Sequence, residues 1–279
     1  MAKRETKTSS AKRKKSPSER SGLVQSLSRG LGLLEALAEN DDGLRLVDVA
    51  ARVELAPSTA HRLLTTLEQR QFVYLDKQTG HWQVGVRCFS VGNAFLQRRN
   101  LVVQSYPLLK RLRDDSGETV NLGIENEGDL VFLAQVESRE LMRAISRPGG
   151  RTPMHCSGMG KALLAALPED EAQAIIRDKG LARFTPHTIV TTEEFGVERT
   201  RMRDAGWSFD NEEHAMGLRC VAAAIFDELA QPIAAISLSG PTVRLPDERI
   251  PRLADLVKSA AHDITLSLGG RLPHEKGRL

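Results

Sequence analysis

The sequence predicts an α+β protein of two domains, an N-terminal winged helix-turn-helix joined by a linker helix to a C-terminal domain built on an antiparallel sheet. Three observations predict it. Residues 45–72 hold two short amphipathic stretches joined by a Leu55-Ala56-Pro57 break, two strand-like runs follow around a Gly-ended loop, and from Leu101 onward short apolar strands alternate with amphipathic helices. A chain of 279 residues, 41% hydrophobic and 27% charged, is long enough to bury two such cores.

In chain order, Leu27, Leu31, Leu34 and Leu37 space a first helix after Ser26, and Asn40-Asp41-Asp42-Gly43 closes it with turn formers. Leu46, Val49, Ala50 and Val53 form an apolar stripe on the second helix. Ala60, Leu63, Leu64 and Leu67 repeat it on the third, so both helices face one small core. Phe72–Leu75 and His81–Val84 read as strands around Asp76-Lys77-Gln78-Thr79-Gly80, which completes a wing. These elements make residues 23–86 the first domain, and 87–100, with Phe89, Ala94 and Phe95 at helical spacing, the linker helix. Within 101–270, Val102–Asp114 is expected as a helix, Thr119–Ile124 and Leu130–Val136 as strands, and Leu141–Ile145 as a further strand. Ser157-Gly158-Met159-Gly160 opens a helix that Pro168 stops, and Glu169–Lys179 is a helix closed by Gly180. Cys220–Phe226 and Ile233–Leu238 are strands, Ile250–Leu268 is a closing helix ended by Gly269-Gly270, and 271–279 are a tail.

Charge is unevenly placed. Residues 1–20 carry eight Lys/Arg against Glu5 and Glu19, a charge of +6 in a chain of +3, which leaves the remainder at −3. With no apolar residue beyond Ala and Met, residues 1–22 are expected to be a disordered basic arm that either holds DNA phosphates or merely solubilises the chain. No apolar stretch follows to make a signal peptide and no run reaches membrane-spanning length, so a soluble cytoplasmic protein is expected, without membrane contact. Cys88, Cys156 and Cys220 are odd in number and widely spaced, as reduced thiols rather than a disulfide framework.

Several residues carry chemistry. Opposite its apolar stripe the third helix presents Ser58, Thr59, His61, Arg62, Thr65 and Gln69, donors and acceptors suited to base edges and phosphates with no carboxylate at the N-terminal end. Arg29, at the approach to the first helix, is a further candidate for phosphate or guanine. Ser157-Gly158-Met159-Gly160 either offers free N–H groups to an anion at a helix start or is a Gly-rich cap packed on a sheet. Gly160-Lys161 is not a phosphate loop, because His155 stands where that loop needs Gly and Ala162 where it needs Ser or Thr. His155, Cys156, His214 and Cys220 lack the short spacings of a structural metal site, and His155 would point away from Cys156 on a strand, leaving no base for a nucleophile. No metal, no cofactor and no catalytic residue is expected.

Several strings in the same order resemble the IclR family of bacterial transcription regulators over about 23–270. They include Val24-Gln25-Ser26-Leu27-Ser28-Arg29-Gly30, Ser58-Thr59-Ala60-His61-Arg62-Leu63-Leu64, Ser116-Gly117-Glu118-Thr119-Val120-Asn121, Pro153-Met154-His155-Cys156-Ser157-Gly158-Met159-Gly160-Lys161-Ala162, Asp210-Asn211-Glu212-Glu213-His214 and Ile236-Ser237-Leu238-Ser239-Gly240-Pro241. The resemblance implies a winged-helix DNA-binding domain, a GAF-like effector-binding and oligomerisation domain, and dimers that pair into a tetramer on a palindromic operator in double-stranded DNA. It also implies an effector pocket at Leu141, Ala144, Gly158, Met159, Asp210, Leu218, Cys220, Ser237 and Ser239. Met159 stands where the family's members tend to be small, and Arg147-Pro148 where they tend to carry Pro and an aliphatic residue.

The expectation is therefore a regulator, read as a repressor, whose operator binding responds to a small carboxylic acid of the glyoxylate or pyruvate type. Asp210 would repel a carboxylate and is assigned to the ligand's other end. Two alternatives stay open: a regulator of aromatic-acid catabolism, and an enzyme fused to a DNA-binding module, which would need a paired acid and base or a metal.

Overall fold

The computed structural model describes residues 24–99, 101–144 and 146–273, with the backbone alone for 93–99. The predicted basic arm and all of the predicted tail beyond 273 lie outside the described residues. The chain divides into two compact units within a helix, at Phe95 and Leu96.

The first unit contains α1 (Gln25–Ala38), α2 (Leu46–Arg52), α3 (Pro57–Gln69), β1 (Val73–Leu75) and β2 (Trp82–Val84), and runs into α4 (Val86–Arg99). Leu33, Leu37, Val49, Ala50, Ala60 and Leu64 meet in its core, with the rest of both predicted stripes packed against them. Between α2 and α3 the chain reverses through Glu54, which takes a left-handed φ of 55°, and Pro57 starts α3 at a position where a missing N–H costs nothing. The wing is tied to this core by Trp82, which is buried and exchanges two backbone hydrogen bonds with Leu44 at 2.8 and 3.0 Å. Arg29 lies inside α1 rather than ahead of it.

The second unit is a six-stranded antiparallel sheet in the order β5-β4-β3-β8-β7-β6, from β3 (Thr119–Asn126), β4 (Asp129–Val136), β5 (Arg151–Pro153), β6 (Ser208–Asn211), β7 (Leu218–Phe226) and β8 (Pro232–Pro241). β3 and β4 close through Glu127 and Gly128, whose φ values of 53° and 76° are those of a two-residue hairpin turn of the primed type. Strand residues alternate between two environments. Val120, Leu122, Val221, Ala223, Ile236 and Leu238 face α5 (Leu101–Ser116) and α9 (Ile250–Ser267) in the larger core. Ala222 and Ala235 face α6 (Gly158–Ala166), which packs with α7 (Glu169–Lys179) and α8 (Thr192–Ala205) over the other side.

Two expectations are corrected and one helix is added. No strand forms at Leu141–Ala144; the backbone there is claimed by side chains, with Arg244 donating to the Met142 carbonyl at 2.7 Å, and the edge strand comes later as β5. His155 and Cys156 lie in the turn before α6, not on a strand, and both are buried. Finally, α8 escaped the sequence reading because the middle of its inward stripe, Phe195, Arg199 and Met202, is an arginine. Arg199 donates to the carbonyls of Leu164 at 2.7 Å and Leu167 at 2.5 Å, satisfying the C-terminal end of α6. The sequence does signal α8 at its start, where Thr191 accepts from the Glu194 N–H in a Thr-x-x-Glu cap.

Candidate functional site

On α3 the residues opposite the core are open to solvent: Ser58, His61, Arg62 and Gln69 are exposed, and Thr59 and Thr65 half-buried. Thr65 donates its hydroxyl to the His61 carbonyl at 2.9 Å, which leaves it an acceptor for a partner. The His61 ring stands edge-on to Trp82, 6.4 Å between centroids, so the wing helps hold it.

In the second unit the antiparallel register builds the candidate pocket. On the α6 side one row crosses four strands, Thr119–Ser239–Cys220–Asp210, and the next crosses five, Gln135–Asn121–Ser237–Ala222–Ser208. Polar side chains therefore collect at one end of a face whose other end is apolar. The start of α6 lies directly on these rows. A Cβ added at Gly158 would come within 2.9 Å of the Cys220 Cβ, so this glycine is required for the approach, and one at Gly160 within 2.3 Å of the Met154 Cα, so Gly160 lets the preceding turn close on the helix. The Ser157 hydroxyl donates away to the Pro153 carbonyl at 2.8 Å, and the helix start carries no side-chain cap.

Gly158, Asp210, Cys220, Ser237 and Ser239 are thus brought together, with Leu218 two residues along β7 from Cys220. Met159 is buried in the wall, its Cε beside Gly123, two positions along β3 from Asn121. The structure does not bring in Leu141, which is 99% exposed, and Ala144 is half-buried in a segment without regular structure. Asn121 and Gln135 were not singled out. Asn121 follows Thr119 at the alternate positions of β3, a weak signal, and Gln135 stands alone among apolar residues of β4.

Burial governs the electrostatics. Asp210 accepts from the N–H groups of Glu213 at 2.8 Å and His214 at 3.4 Å, yet burial raises its pKa to about 7, with neighbouring Glu213 adding to the rise. The Cys156 thiol is pushed up to about 12, by burial first and then by Asp210 and Glu213; Cys220 is also raised by burial. Neither is a ready nucleophile. Burial also lowers the pKa of His155 and His214, favouring the neutral rings. Under the loop 210–214 sits Lys161, 1% exposed, which donates to the Phe209 carbonyl at 2.6 Å and pairs with Glu213 and, at 3.2 Å, with Glu198. A cavity of about 1250 Å³ lies instead at the far end of α6, between Leu167, Trp207, Lys258 and His262, and includes none of the predicted site residues.

Residues 26–77 match the IclR helix-turn-helix domain, and residues 93–266 match the bacterial transcriptional regulator IclR C-terminal domain. The chain belongs to the IclR family. It is accordingly a DNA-binding transcription regulator with a C-terminal effector domain. Among IclR relatives, the acetate operon repressor of Salmonella typhimurium is 45% identical over 251 residues, 89% of this chain and 92% of that protein. The transcriptional repressor IclR of Escherichia coli is also 45% identical over 251 residues, with the same coverage. The crystal structure of the Thermotoga maritima IclR superposes with a TM-score of 0.75 at 27% identity, covering 88% of this chain and 100% of that one.

Proposed function

We propose that this regulator is a repressor of an operon for two-carbon metabolism, and that its operator binding is set by a two- or three-carbon oxo-acid of the glyoxylate or pyruvate type. The observation that carries the ligand is the convergence of Ser237, Ser239 and the uncapped start of α6 on one side of the sheet, with Asp210 at the end of the row. Hydroxyl and N–H donors suit the carboxylate, and Asp210 takes the hydrated aldehyde or keto end. The likeness to an acetate operon repressor supports the target operon. The test is calorimetry on the full chain with glyoxylate, pyruvate and 4-hydroxybenzoate. Binding of the first two supports the reading, and tight binding of the aromatic acid overturns it.

Affinity for such an acid is expected to depend on pH through Asp210. Its folded pKa, about 7, is raised from 3.8, so the site holds the proton below 7 and loses it above. A carboxylate ligand therefore binds best below pH 7 and about tenfold more weakly per unit well above it. Of the groups around Asp210, Cys156, Cys220 and His214 are shifted toward their neutral forms, and Lys161 is held by Glu213 and Glu198. Asp210→Asn should flatten the calorimetric pH profile; an unchanged profile assigns the proton elsewhere.

On the DNA side, α3 is proposed to enter the major groove with Ser58, Thr59, His61, Arg62 and Thr65, and Arg29 to contact phosphate. Arg62→Ala or Thr59→Ala is expected to cost about 1–3 kcal/mol of operator affinity at fixed salt, measured by fluorescence anisotropy. Removing residues 1–20 should weaken binding to all sequences alike and flatten its salt dependence, since the arm offers charge without base-reading geometry. A changed preference between operators would make the arm a reader.

A further inference from the structure

Four hydrogen-bonding stations run from the serine pair to the segment that follows β4. Asn121 is buried, and its amide lies 3.4 Å from Ser237 Oγ and 3.2 Å from Ser239 Oγ on one side, and 2.8 Å from the Gln135 amide on the other. The terminal atoms of Gln135 in turn meet the backbone of Ser146, at 2.8 Å from its nitrogen and 3.3 Å from its carbonyl oxygen. One Gln135 atom thus faces both Asn121 and the Ser146 N–H, and it is either oxygen or nitrogen.

The two choices have opposite consequences along the chain. With oxygen there, Gln135 accepts from the Ser146 N–H and donates to the Ser146 carbonyl. Asn121 must then turn its nitrogen to Gln135 and its oxygen to the serines, which donate to it. With nitrogen there, Gln135 donates to Asn121 Oδ1, and Asn121 donates to both serine hydroxyls. The Ser146 backbone then meets like against like, N–H facing NH2 and carbonyl facing carbonyl.

What the serine protons do decides between the settings. Buried serines elsewhere in the domain donate to backbone carbonyls, Ser116 to Leu112 at 2.7 Å, Ser157 to Pro153 at 2.8 Å and Ser208 to Gly158 at 2.7 Å, with the exception of Ser105, whose Oγ finds no partner among the described residues. Ser237 and Ser239, 3.4 Å apart, make no such bond among the described residues. Their protons are held by Asn121, by each other or by the weak acceptor at Cys220. A carboxylate is a stronger acceptor than an amide oxygen, and it would draw both protons outward.

We infer that Asn121 and Gln135 form a relay that reverses when a carboxylate binds Ser237 and Ser239, breaking the two bonds from Gln135 to the Ser146 backbone and freeing Ser146 from β4. This rests on the reading of the site as a carboxylate pocket. Both residues are positioning residues, since neither is required to touch the ligand.

The test uses the full chain with pyruvate as probe, amide hydrogen exchange at Ser146, and calorimetry. In the parent protein pyruvate should speed Ser146 exchange about tenfold. Gln135→Glu can only accept, so it keeps the Ser146 N–H and the Asn121 nitrogen. Pyruvate affinity should fall about tenfold, and Ser146 should no longer respond. Gln135→Leu has no bond to break, so pyruvate binds at least as tightly as in the parent, and Ser146 exchanges fast with or without it. A packing role would weaken both variants alike. That result, or Ser146 exchange indifferent to pyruvate in the parent, overturns the relay alone, and a parent that binds neither pyruvate nor glyoxylate overturns the pocket with it.

Discussion

Replacing Ser237 and Ser239 together with alanine is expected to abolish effector binding and leave operator binding in place. Each hydroxyl is a donor to a charged acceptor, worth about 1.5–3 kcal/mol, so the pair accounts for at least on the order of a hundredfold in affinity. The change lies on the sheet side facing α6, away from the core with α5 and α9, and removes no buried apolar contact from that core. Asn121 loses two partners, which costs stability without touching the first unit. The regulator should then hold its operator in the presence of the acid that releases the parent. Calorimetry and anisotropy read the two halves of the prediction separately, and a double variant with parental ligand affinity would remove the serines from the pocket.

Lys161→Met should be the most destabilising exchange in the C-terminal domain. The lysine is buried against two carboxylates and a carbonyl, and Glu213 Oε2 already lacks a hydrogen-bond partner among the described residues. Taking away the cation leaves buried charge uncompensated, which costs about 3–5 kcal/mol and lowers Tm by about 10 °C in a domain of this size. The loss should grow with pH. Burial raises the folded pKa of Glu213 above its usual 4.5, and an acid raised in the fold contributes stability below its ordinary range that disappears as pH climbs through the folded value. Thermal melts of parent and variant at pH 5 and pH 8 check both signs; a variant within about 2 °C of the parent at pH 8 would show the pair to be replaceable.

The parts of the fold that follow from one-dimensional periodicity were legible. The stripes of α2 and α3, the wing around Asp76–Gly80, and the apolar strands β7 and β8 all declare themselves by spacing. What was not legible depends on partners distant in sequence. Arg199 in α8 makes sense only against the end of α6, and Leu141 looked like a strand residue because nothing local shows that Arg244 takes the neighbouring carbonyl. In the candidate pocket, Asp210, Cys220, Ser237 and Ser239 came from resemblance and fall together on the sheet beside Gly158, whereas Asn121 and Gln135 become visible only once the register of β3 with β4 and β8 is known.

That register bears on how the chain finds its fold. β3 and β8 are paired across a separation of 116 residues between Asn121 and Ser237, and a slip of one residue would turn every side chain of the sliding strand to the opposite face. Asn121, or Ser237 and Ser239, would then enter the oily layer under α5 and α9 without partners, at about 1–3 kcal/mol each, while valine and leucine took their places under α6. A uniformly apolar sheet would tolerate such misalignment far better. The same polar side chains proposed to receive the small acid therefore act as a proofreading mark during assembly, penalising wrong alignments before any ligand is present.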